Sequence, residues 1–442
     1  MSIFFYSLNI TFDRDEFEHI HTAWKMANGQ RIYVDFFQHH HPFFDYMLIP
    51  VIRAYGSTID TLFVGRYVML VLTACILAVT YALAVKIFKS REVGVIGLIL
   101  TSAFTAFYMK SIEIRPDVPE ALTGLLAVYF LFTYYDNRSS LSLIASALSL
   151  AISLLFLQKA LELILPIGGV LLYDVIKKRV PIRDAAIYAG AFVAALAPYY
   201  AYLLLDGSFV IYYEMNWLVN LYIPQLFGKL GSLSVLVQEN TVTFVLYFVG
   251  AVSLIRSGRE WRFAVLSLCL LLLPMVMFKN LWRQYFLLAI PPVAIIAGYA
   301  IHSMFNTRLS RLIVILGAIY IPLSFMHNHG FFKMNSDKQT AQLDKVRYVL
   351  SITKEGDKVY DGSALFNIYR DDIDYFWFCV SYPYCLSAYQ RIADYPYDIY
   401  ELIDREKPKV ISDTGINSFD DIRIKNKYRA SDRYPDLHIR AD

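Results

Sequence analysis

Acidic and histidine side chains crowd into one short segment near the start of this chain, from Asp15 to Pro42. A carboxylate in such a segment can act as a general base, provided that it lies within about 2.6–3.2 Å of the hydroxyl that it deprotonates. Imidazole rings can bind polar ligands or a metal ion. The candidate residues of this segment are three acids and three consecutive histidines: Asp15, Glu16, Asp35, His39, His40 and His41. Their types and spacing indicate an active site.

Three cations recur later in the chain, each next to an apolar run. Arg115 lies beside Asp117 in the sequence RPD, Lys159 lies between two apolar runs, and Arg283 precedes the aromatic residue Tyr285. Cations in a site that excludes water stabilise a phosphate strongly. We therefore expect an acid from the start of the chain and three cations from distant helices to meet in one pocket. For Lys159 alone, extension of its side chain toward a polar surface is an equal alternative.

The elements that position these residues are mostly apolar. Of the 442 residues, 57% are hydrophobic and 18% are charged, and the mean hydropathy is +0.43. Runs of about 17–25 apolar residues are long enough to cross a bilayer. About ten such runs predict a polytopic membrane protein: 61–88, 92–111, 117–135, 140–157, 159–176, 185–205, 240–256, 261–278, 284–303 and 311–327. The net charge of +3, spread over short clusters, argues against nucleic-acid binding.

The cationic connections between these runs predict their sidedness. Lys and Arg cluster in alternate connections, which the positive-inside rule assigns to the cytoplasm. The segment 15–57 and the loop 206–239 then face outward, and we interpret that loop either as a lid or as an aromatic membrane anchor. An ionisable side chain costs about 2.5–3.5 kcal/mol at the bilayer centre, so the segment 15–57 belongs at the membrane surface. Only twelve residues precede Asp13. We expect the first span to be truncated in this sequence, and the alternative is an N-terminus that crosses the membrane together with the first hairpin.

The chain after residue 327 has the texture of a small α/β domain. Helices are predicted at 340–353 and 398–409, and strands at 357–362, 373–380 and 409–413. Cys379 and Cys385 either form a disulfide or remain two free thiols. Asp361 and the run Arg370-Asp371-Asp372 are candidate ligand-binding residues, with a solvated loop as the alternative. The predicted organisation is an outward active-site segment (1–57), a transmembrane helical module (58–327) and an extracytoplasmic α/β domain (328–442).

Three motifs in this order carry a resemblance to a known family. Asp15-Glu16 leads to DFFQHHHPFF, the sequence RPD follows, and WRQYFLLAIPP lies near the end of the apolar runs. This pattern, over residues 13–327, resembles the GT-C glycosyltransferases, most closely the protein O-mannosyltransferase and lipid A aminoarabinose transferase group. The resemblance implies an all-α polytopic membrane fold with a polyprenyl-phosphate sugar as donor. It also implies transfer to an exported glycan, lipid or protein at the outer face of a bacterial cell membrane.

The resemblance also implies roles for individual residues. Asp15 matches the acidic position of the family and becomes the general base, and Glu16 places the acceptor or the sugar. The donor phosphate is assigned to Arg115, Lys159, Arg283 and Tyr285. Orientation or sugar binding is assigned to Asp117, Asp35, His39, His40 and His41. A phosphate leaves without a general acid, so one carboxylate is sufficient and a single displacement inverts the sugar carbon.

No cofactor is required by this chemistry. A metal ion at the histidines is the less favoured interpretation, because a structural zinc site uses about four ligands. A transporter or flippase of a lipid-linked saccharide is the alternative function. Transporters carry ionisable residues near the midplane of the membrane and show repeats between their halves, whereas the candidates here gather at one face. A non-catalytic scaffold leaves the acids and the cations unexplained.

Overall fold

The computed structural model describes residues 9–258, 260–304, 336–380 and 384–441, together with residues 316, 319 and 323. Contacts between Cα atoms group the chain into two compact units. The helical unit contains Tyr67–Tyr200 and the described part of Phe227–Lys333. The mixed unit contains Leu8–Arg66 from residue 9 onward, Ala201–Leu226 and the described part of Met334–Asp442. The predicted division at residues 57 and 327 stays a prediction.

Helices occupy almost all of the predicted apolar runs. Their bounds are Asp60–Phe88, Arg91–Ala103, Thr105–Lys110, Asp117–Asn137, Ser140–Phe156, Leu161–Ile176, Ile182–Leu205, Lys229–Glu239, Thr241–Ser257, Trp261–Met277 and Ile290–Met304. Helices are favoured in a bilayer because every backbone N–H and C=O is bonded within the segment. The predicted run 311–327 falls almost wholly outside the described residues.

Three helices of the described chain are long and apolar enough to cross a membrane: Asp60–Phe88, Asp117–Asn137 and Ile182–Leu205. Lys229–Glu239 and Thr241–Ser257 together make a fourth if the pair, bent by 96°, is taken as one span. The predicted span 92–111 is wrong as a single helix, because Phe104 adopts an extended conformation between two helices. The total of about ten spans stays a prediction.

Glycines bring helices of the helical unit into close contact. A Cβ atom placed on Gly250 would lie 2.6 Å from the carbonyl oxygen of Ile296, and one on Gly298 would lie 3.2 Å from the backbone nitrogen of Gly97. Small residues at such crossings let two helix backbones approach closely in a membrane. The helix Ile290–Met304 is therefore packed between the helices that carry Gly250 and Gly97. This packing fixes the position of the segment with Arg283 that precedes it.

The mixed unit contains two helices near the start of the chain, Arg14–Ala27 and Phe43–Tyr55, and short helical segments at Phe209–Tyr213, Glu214–Val219 and Asn220–Tyr222. Glu214–Val219 is a π-helix. Its C-terminal region contains the helices Ser336–Ile352, Cys385–Tyr389 and Ile399–Glu406. The two predicted helices of this region are confirmed. Cys379 and Cys385 form a disulfide, which decides between the two alternatives left open by the sequence.

A five-stranded sheet completes the C-terminal region. Its strands are β1 (Lys358–Tyr360), β2 (Asp371–Asp372), β3 (Val410–Ser412), β4 (Tyr428–Ala430) and β5 (Leu437–Arg440), in the order β2-β1-β3-β5-β4. β1 pairs in parallel with β2 and β3, with Val359 opposite Asp372 and Val410. β5 pairs antiparallel with β3 and β4. Sequence patterns located β1 and β3 but missed β4 and β5.

The predicted strand at 373–380 is wrong. Strand structure ends at Asp372, and the following backbone bonds to the segment before the histidines instead. The Phe37 amide donates to the carbonyl of Tyr375 over 3.0 Å, and Trp377 Nε1 donates to the carbonyl of Phe37 over 2.9 Å. These contacts, distant in sequence, replace a strand ladder.

Candidate active site

The helix Arg14–Ala27 begins with a capping box that positions Asp15. The side chain of Asp13 accepts from the amide of Asp15 over 3.1 Å, and Glu16 Oε1 accepts from the amide of Asp13 over 2.9 Å. Such reciprocal bonds satisfy the free amides of a helix start. Asp15 is half-buried in the first turn, where the helix dipole stabilises a carboxylate. The predicted base is thus on a rigid element.

Glu16 is fully buried against Arg66. The guanidinium donates to both carboxylate oxygens, with Nε 2.8 Å from Oε2 and Nη2 2.6 Å from Oε1. Arg66 also donates to the carbonyls of Ile10 and Thr11. This pair anchors the helix start, and the predicted contact of Glu16 with acceptor or sugar stays a prediction. Arg66 was missed by the sequence analysis, although a charge inside the apolar run 61–88 was the signal.

The three consecutive histidines separate. His40 Nδ1 lies 3.3 Å from Glu18 Oε1, and one ligand atom each from Glu18, His39 and His40 lies within 4.8 Å of the others. His41 instead packs edge-on against Tyr212 and Trp217, with ring centroids 5.6 and 5.8 Å away. Neighbouring side chains thus diverge at His41, and Glu18 joins the group as a residue that the sequence analysis missed.

His19 and Asp45 form a buried pair beside these histidines. Their Nδ1 and Oδ1 atoms are 2.8 Å apart. Burial raises the pKa of Asp45 to about 6, although His19 opposes this shift. Burial alone would lower the pKa of His19, but Asp45, together with Glu18 and Asp15, outweighs burial and the pKa of His19 is raised. The ring of His19 lies 5.2 Å from that of His40. The pair was not predicted, because its residues come from two separate helices.

Asp35 lies apart from this group. Its carboxylate accepts from the backbone amide of Arg31 over 2.6 Å and forms an exposed ion pair with the same residue. These bonds close the turn after the opening helix. The predicted role of Asp35 in orienting a sugar stays a prediction, and its described contacts are those of a turn.

The candidate residues of the C-terminal region also have structural contacts. Asp361 is buried and accepts from the amides of Leu365 and Asn367 over 2.6 and 3.1 Å. Asp372 binds Lys25 over 2.7 Å and His21 over 2.8 Å. The alternative of a solvated loop is wrong here, because these carboxylates hold backbone and side chains in the interior of the mixed unit.

In the helical unit, the predicted phosphate-binding residues come together. Lys159 forms an ion pair with Asp117, and Arg115 Nε lies 3.3 Å from the other oxygen of Asp117. Lys159 Nζ also lies 3.9 Å from the ring centroid of Tyr285. Arg115, Asp117 and Lys159 are buried. Four of the predicted residues thus form one cluster, with Asp117 between the two cations.

Arg283 begins the short helical segment Arg283–Phe286, two residues before Tyr285. It pairs with Glu239 over 2.7 Å and contacts the sulfur atom of Met109 at 3.5 Å. Glu113 is a further acid that the sequence analysis missed. It pairs with Lys110 over 2.6 Å and lies 3.8 Å from Arg115. Acids near these cations reduce their net charge and fix their positions.

Two more carboxylates lie beside Lys159, on helices of the same unit. Glu120 and Glu162 are buried, and in each one oxygen has no hydrogen-bond partner among the described residues. Glu120 and Glu162 lie in the first turns of their helices. They therefore add two polar side chains beside Lys159.

Comparison with known proteins supports the resemblance. A family model described as "Dolichyl-phosphate-mannose-protein mannosyltransferase" matches residues 39–204. No curated protein matches the chain at a significant level. The matched stretch includes the histidines, Arg115, Asp117 and Lys159, but ends before Arg283.

Solved structures share the fold over most of the chain. ArnT from Cupriavidus metallidurans bound to undecaprenyl phosphate has a TM-score of 0.58 and 12% identity, covering 88% of this chain and 73% of that one. Apo ArnT from the same organism has a TM-score of 0.62 and 12% identity, with coverages of 83% and 82%. The Archaeoglobus fulgidus oligosaccharyltransferase in complex with Zn and sulfate has a TM-score of 0.55 and 13% identity, with coverages of 82% and 58%.

At this identity the structures show the fold, and the family match adds the sequence relationship. The apolar helices and these similarities indicate an integral membrane protein. Taken together, the family model that matches residues 39–204 and the shared fold confirm the predicted resemblance to the GT-C glycosyltransferases.

Proposed function

We propose that this protein is a glycosyltransferase that moves a sugar from a polyprenyl phosphate to an exported acceptor at the outer face of the membrane. The observation that carries the proposal is the buried cluster of Arg115, Lys159, Asp117 and Tyr285. One similar structure, ArnT, was solved with undecaprenyl phosphate bound. A lipid phosphate is therefore the ligand that best matches these cations.

Hydrogen-bonding capacity supports phosphate binding at this cluster. An arginine carries five N–H donors and a lysine three, so these two side chains can donate to several oxygens of one phosphate. Burial removes competing water, so charge-assisted bonds to phosphate oxygens gain strength. Arg283 supplies a third cation next to Tyr285. These groups stabilise the charge that grows on the phosphate as the sugar departs.

Asp15 is the proposed base in the transfer step. Its carboxylate takes the proton of the acceptor hydroxyl while the hydroxyl oxygen forms a bond to the anomeric carbon of the sugar. The bond between that carbon and the phosphate oxygen breaks, and the electron pair leaves with the polyprenyl phosphate. A single displacement of this kind inverts the configuration of the carbon. Residues of the chain are sufficient for this step, and no cofactor is required by it.

Transfer in detergent solution tests this proposal against lipid transport. Purified protein is mixed with polyprenyl-phosphate sugars and an envelope extract, both taken from a strain that lacks the protein, and products are identified by mass spectrometry. We expect a sugar to appear on an acceptor and free polyprenyl phosphate to accumulate. A flippase moves lipids only across an intact bilayer, so the absence of product in detergent would contradict the transferase proposal.

The variant Asp15→Asn tests the base. We expect it to fold like the wild type and to lose transfer, since the amide cannot accept the hydroxyl proton; general-base catalysis contributes about 10²–10⁴-fold. Asp60→Asn is the matched control, because Asp60 is an exposed acid in the first turn of another helix. Equal turnover of Asp15→Asn and Asp60→Asn would remove Asp15 from the reaction.

A further inference from the structure

Glu18 is a buried acid whose described basic neighbours are histidines and not a lysine or an arginine. Its exposed fraction is 2%, and no Lys or Arg of the described chain forms an ion pair with it. Glu16, two residues earlier, shows the usual solution, since it is equally buried but bonded twice to Arg66. A buried carboxylate needs a cation or a proton. The partners of Glu18 are His40 at 3.3 Å and neighbouring imidazoles.

The atoms around Glu18 have the types and spacing of a metal site. One oxygen of Glu18 and one nitrogen each of His39 and His40 lie within 4.8 Å of one another. Zinc binds imidazole nitrogen and carboxylate oxygen at about 2.0–2.2 Å, and tetrahedral geometry then places ligand atoms about 3.3–3.5 Å apart. The observed separation of 3.3 Å between Glu18 Oε1 and His40 Nδ1 matches this spacing, and the ligand atom of His39 lies within 4.8 Å of both partners.

The backbone that carries the two histidines is held in place. Gln38 Oε1 accepts from the amides of His39 and His40 over 2.7 and 3.1 Å. An ion bound at His40 Nδ1 replaces the 3.1 Å contact of that nitrogen with the same oxygen. The carbonyl of His40 accepts from the hydroxyl of Tyr33 over 2.6 Å. Partners of this kind orient metal ligands and raise affinity for the ion.

A third imidazole borders the group. His19 binds Asp45 through Nδ1 over 2.8 Å, and its ring lies 5.2 Å from that of His40. A carboxylate that holds one imidazole nitrogen directs the other nitrogen toward a metal in many sites. His19 is thus placed to approach the same ion from the opening helix, which carries Glu18 at the adjacent position.

We propose that Glu18, His39 and His40 bind a divalent transition-metal ion of the zinc class, with His19 beside the fourth position. Two imidazoles and one carboxylate favour zinc over magnesium or calcium, which prefer oxygen ligands. The ion holds the segment of the histidines against the opening helix, one turn after Asp15. The site is independent of the sugar-transfer proposal, because the ion takes no part in the displacement described above.

Metal binding by the purified full-length protein tests the site without donor or acceptor. The protein carries a tag without histidines, is stripped with a chelator, and is titrated with ZnCl₂ by calorimetry. We expect one ion per chain, no response to MgCl₂, and at least 10-fold weaker binding by Glu18→Gln and by His40→Gln. His302→Gln is the control, since His302 is an exposed histidine on the helix Ile290–Met304, and it should bind zinc like the wild type.

Cobalt provides a second measurement that needs no variant to fold. CoCl₂ added to the stripped wild type should give visible absorption bands of a four-coordinate site with nitrogen and oxygen ligands, and ZnCl₂ should remove them. Absence of both zinc binding and these bands would overturn the proposal, as would equal affinity of the Glu18 and His302 variants. Either result leaves the transfer assay unaffected, so failure of the metal site and failure of the proposed function are distinguishable.

Discussion

At the scale of single residues, the ion pair of Glu16 and Arg66 is the contact whose loss we expect to destabilise the protein most. Both side chains are fully buried, and loss of one partner leaves an uncompensated charge. We expect Arg66→Met to destabilise the protein by about 3–5 kcal/mol, measured by denaturant unfolding in detergent. The double variant Glu16→Gln, Arg66→Met should recover part of this loss, because no charge is left buried. A single variant as stable as the wild type would contradict the prediction.

The second prediction at this scale concerns Lys159 and the binding of a lipid phosphate. Its ammonium lies between Asp117 and the ring of Tyr285, where a phosphate can accept from it. Hydrogen bonds to charged groups contribute about 1.5–3 kcal/mol, so Lys159→Gln should weaken binding of undecaprenyl phosphate by roughly 10- to 150-fold. Binding can be followed by the change in tryptophan fluorescence. Lys425→Gln, at an exposed lysine of the C-terminal region, is the control and should leave affinity unchanged.

At the scale of elements, Asp372 joins strand β2 to the opening helix. It binds His21 and Lys25, which lie four residues apart on one face of that helix. Burial alone would raise the pKa of Asp372, but Lys25 and His21 outweigh burial and lower it to about 2. A carboxylate with a lowered pKa stabilises the fold fully above its ordinary pKa of about 3.9 and loses this effect as the pH falls toward the lowered value.

The lowered pKa of Asp372 predicts how unfolding depends on pH. We expect Asp372→Asn to lower the unfolding midpoint most at about pH 6, and the difference from the wild type to shrink as the pH falls from about 4 to about 2. Tryptophan fluorescence is a suitable signal, since the ring of Trp377 lies 4.5 Å from that of His21. A difference that stays constant over this range would show that Asp372 acts through packing and not through its charge.

At the scale of the whole molecule, the proposed orientation in the membrane is open to direct labelling. In a background with Cys75→Ser and Cys269→Ser, single cysteines replace Asn137 and Asn417, which are both exposed. An impermeant maleimide added to intact cells should label the cysteine at position 417, because the C-terminal region is proposed to face outward. Position 137 should react only after lysis, since it lies in a connection next to Arg138. The opposite labelling pattern would invert the proposed topology.

The sequence by itself determined the helical architecture, because that signal is local. Apolar runs of spanning length are a property of consecutive residues, and helices such as Asp60–Phe88 and Asp117–Asn137 begin and end within a few residues of the predicted bounds. The same is true of the cation cluster in part. Motifs identified Arg115, Lys159 and Tyr285 one by one, and their binding of a phosphate stays a prediction that the resemblance implies.

Only the tertiary structure decided which partners these residues have. Arg66 lies fifty residues from Glu16, and neither periodicity nor composition relates the two positions. The aromatic run after Asp372 has the composition of a strand, yet the carbonyl of Tyr375 accepts from the backbone amide of Phe37, more than 300 residues away in sequence. Glu18 shows the same limit, because its neighbours His39 and His40 reach it only once the chain has turned back. Burial and pairing of charges depend on the complete fold, which no local pattern contains.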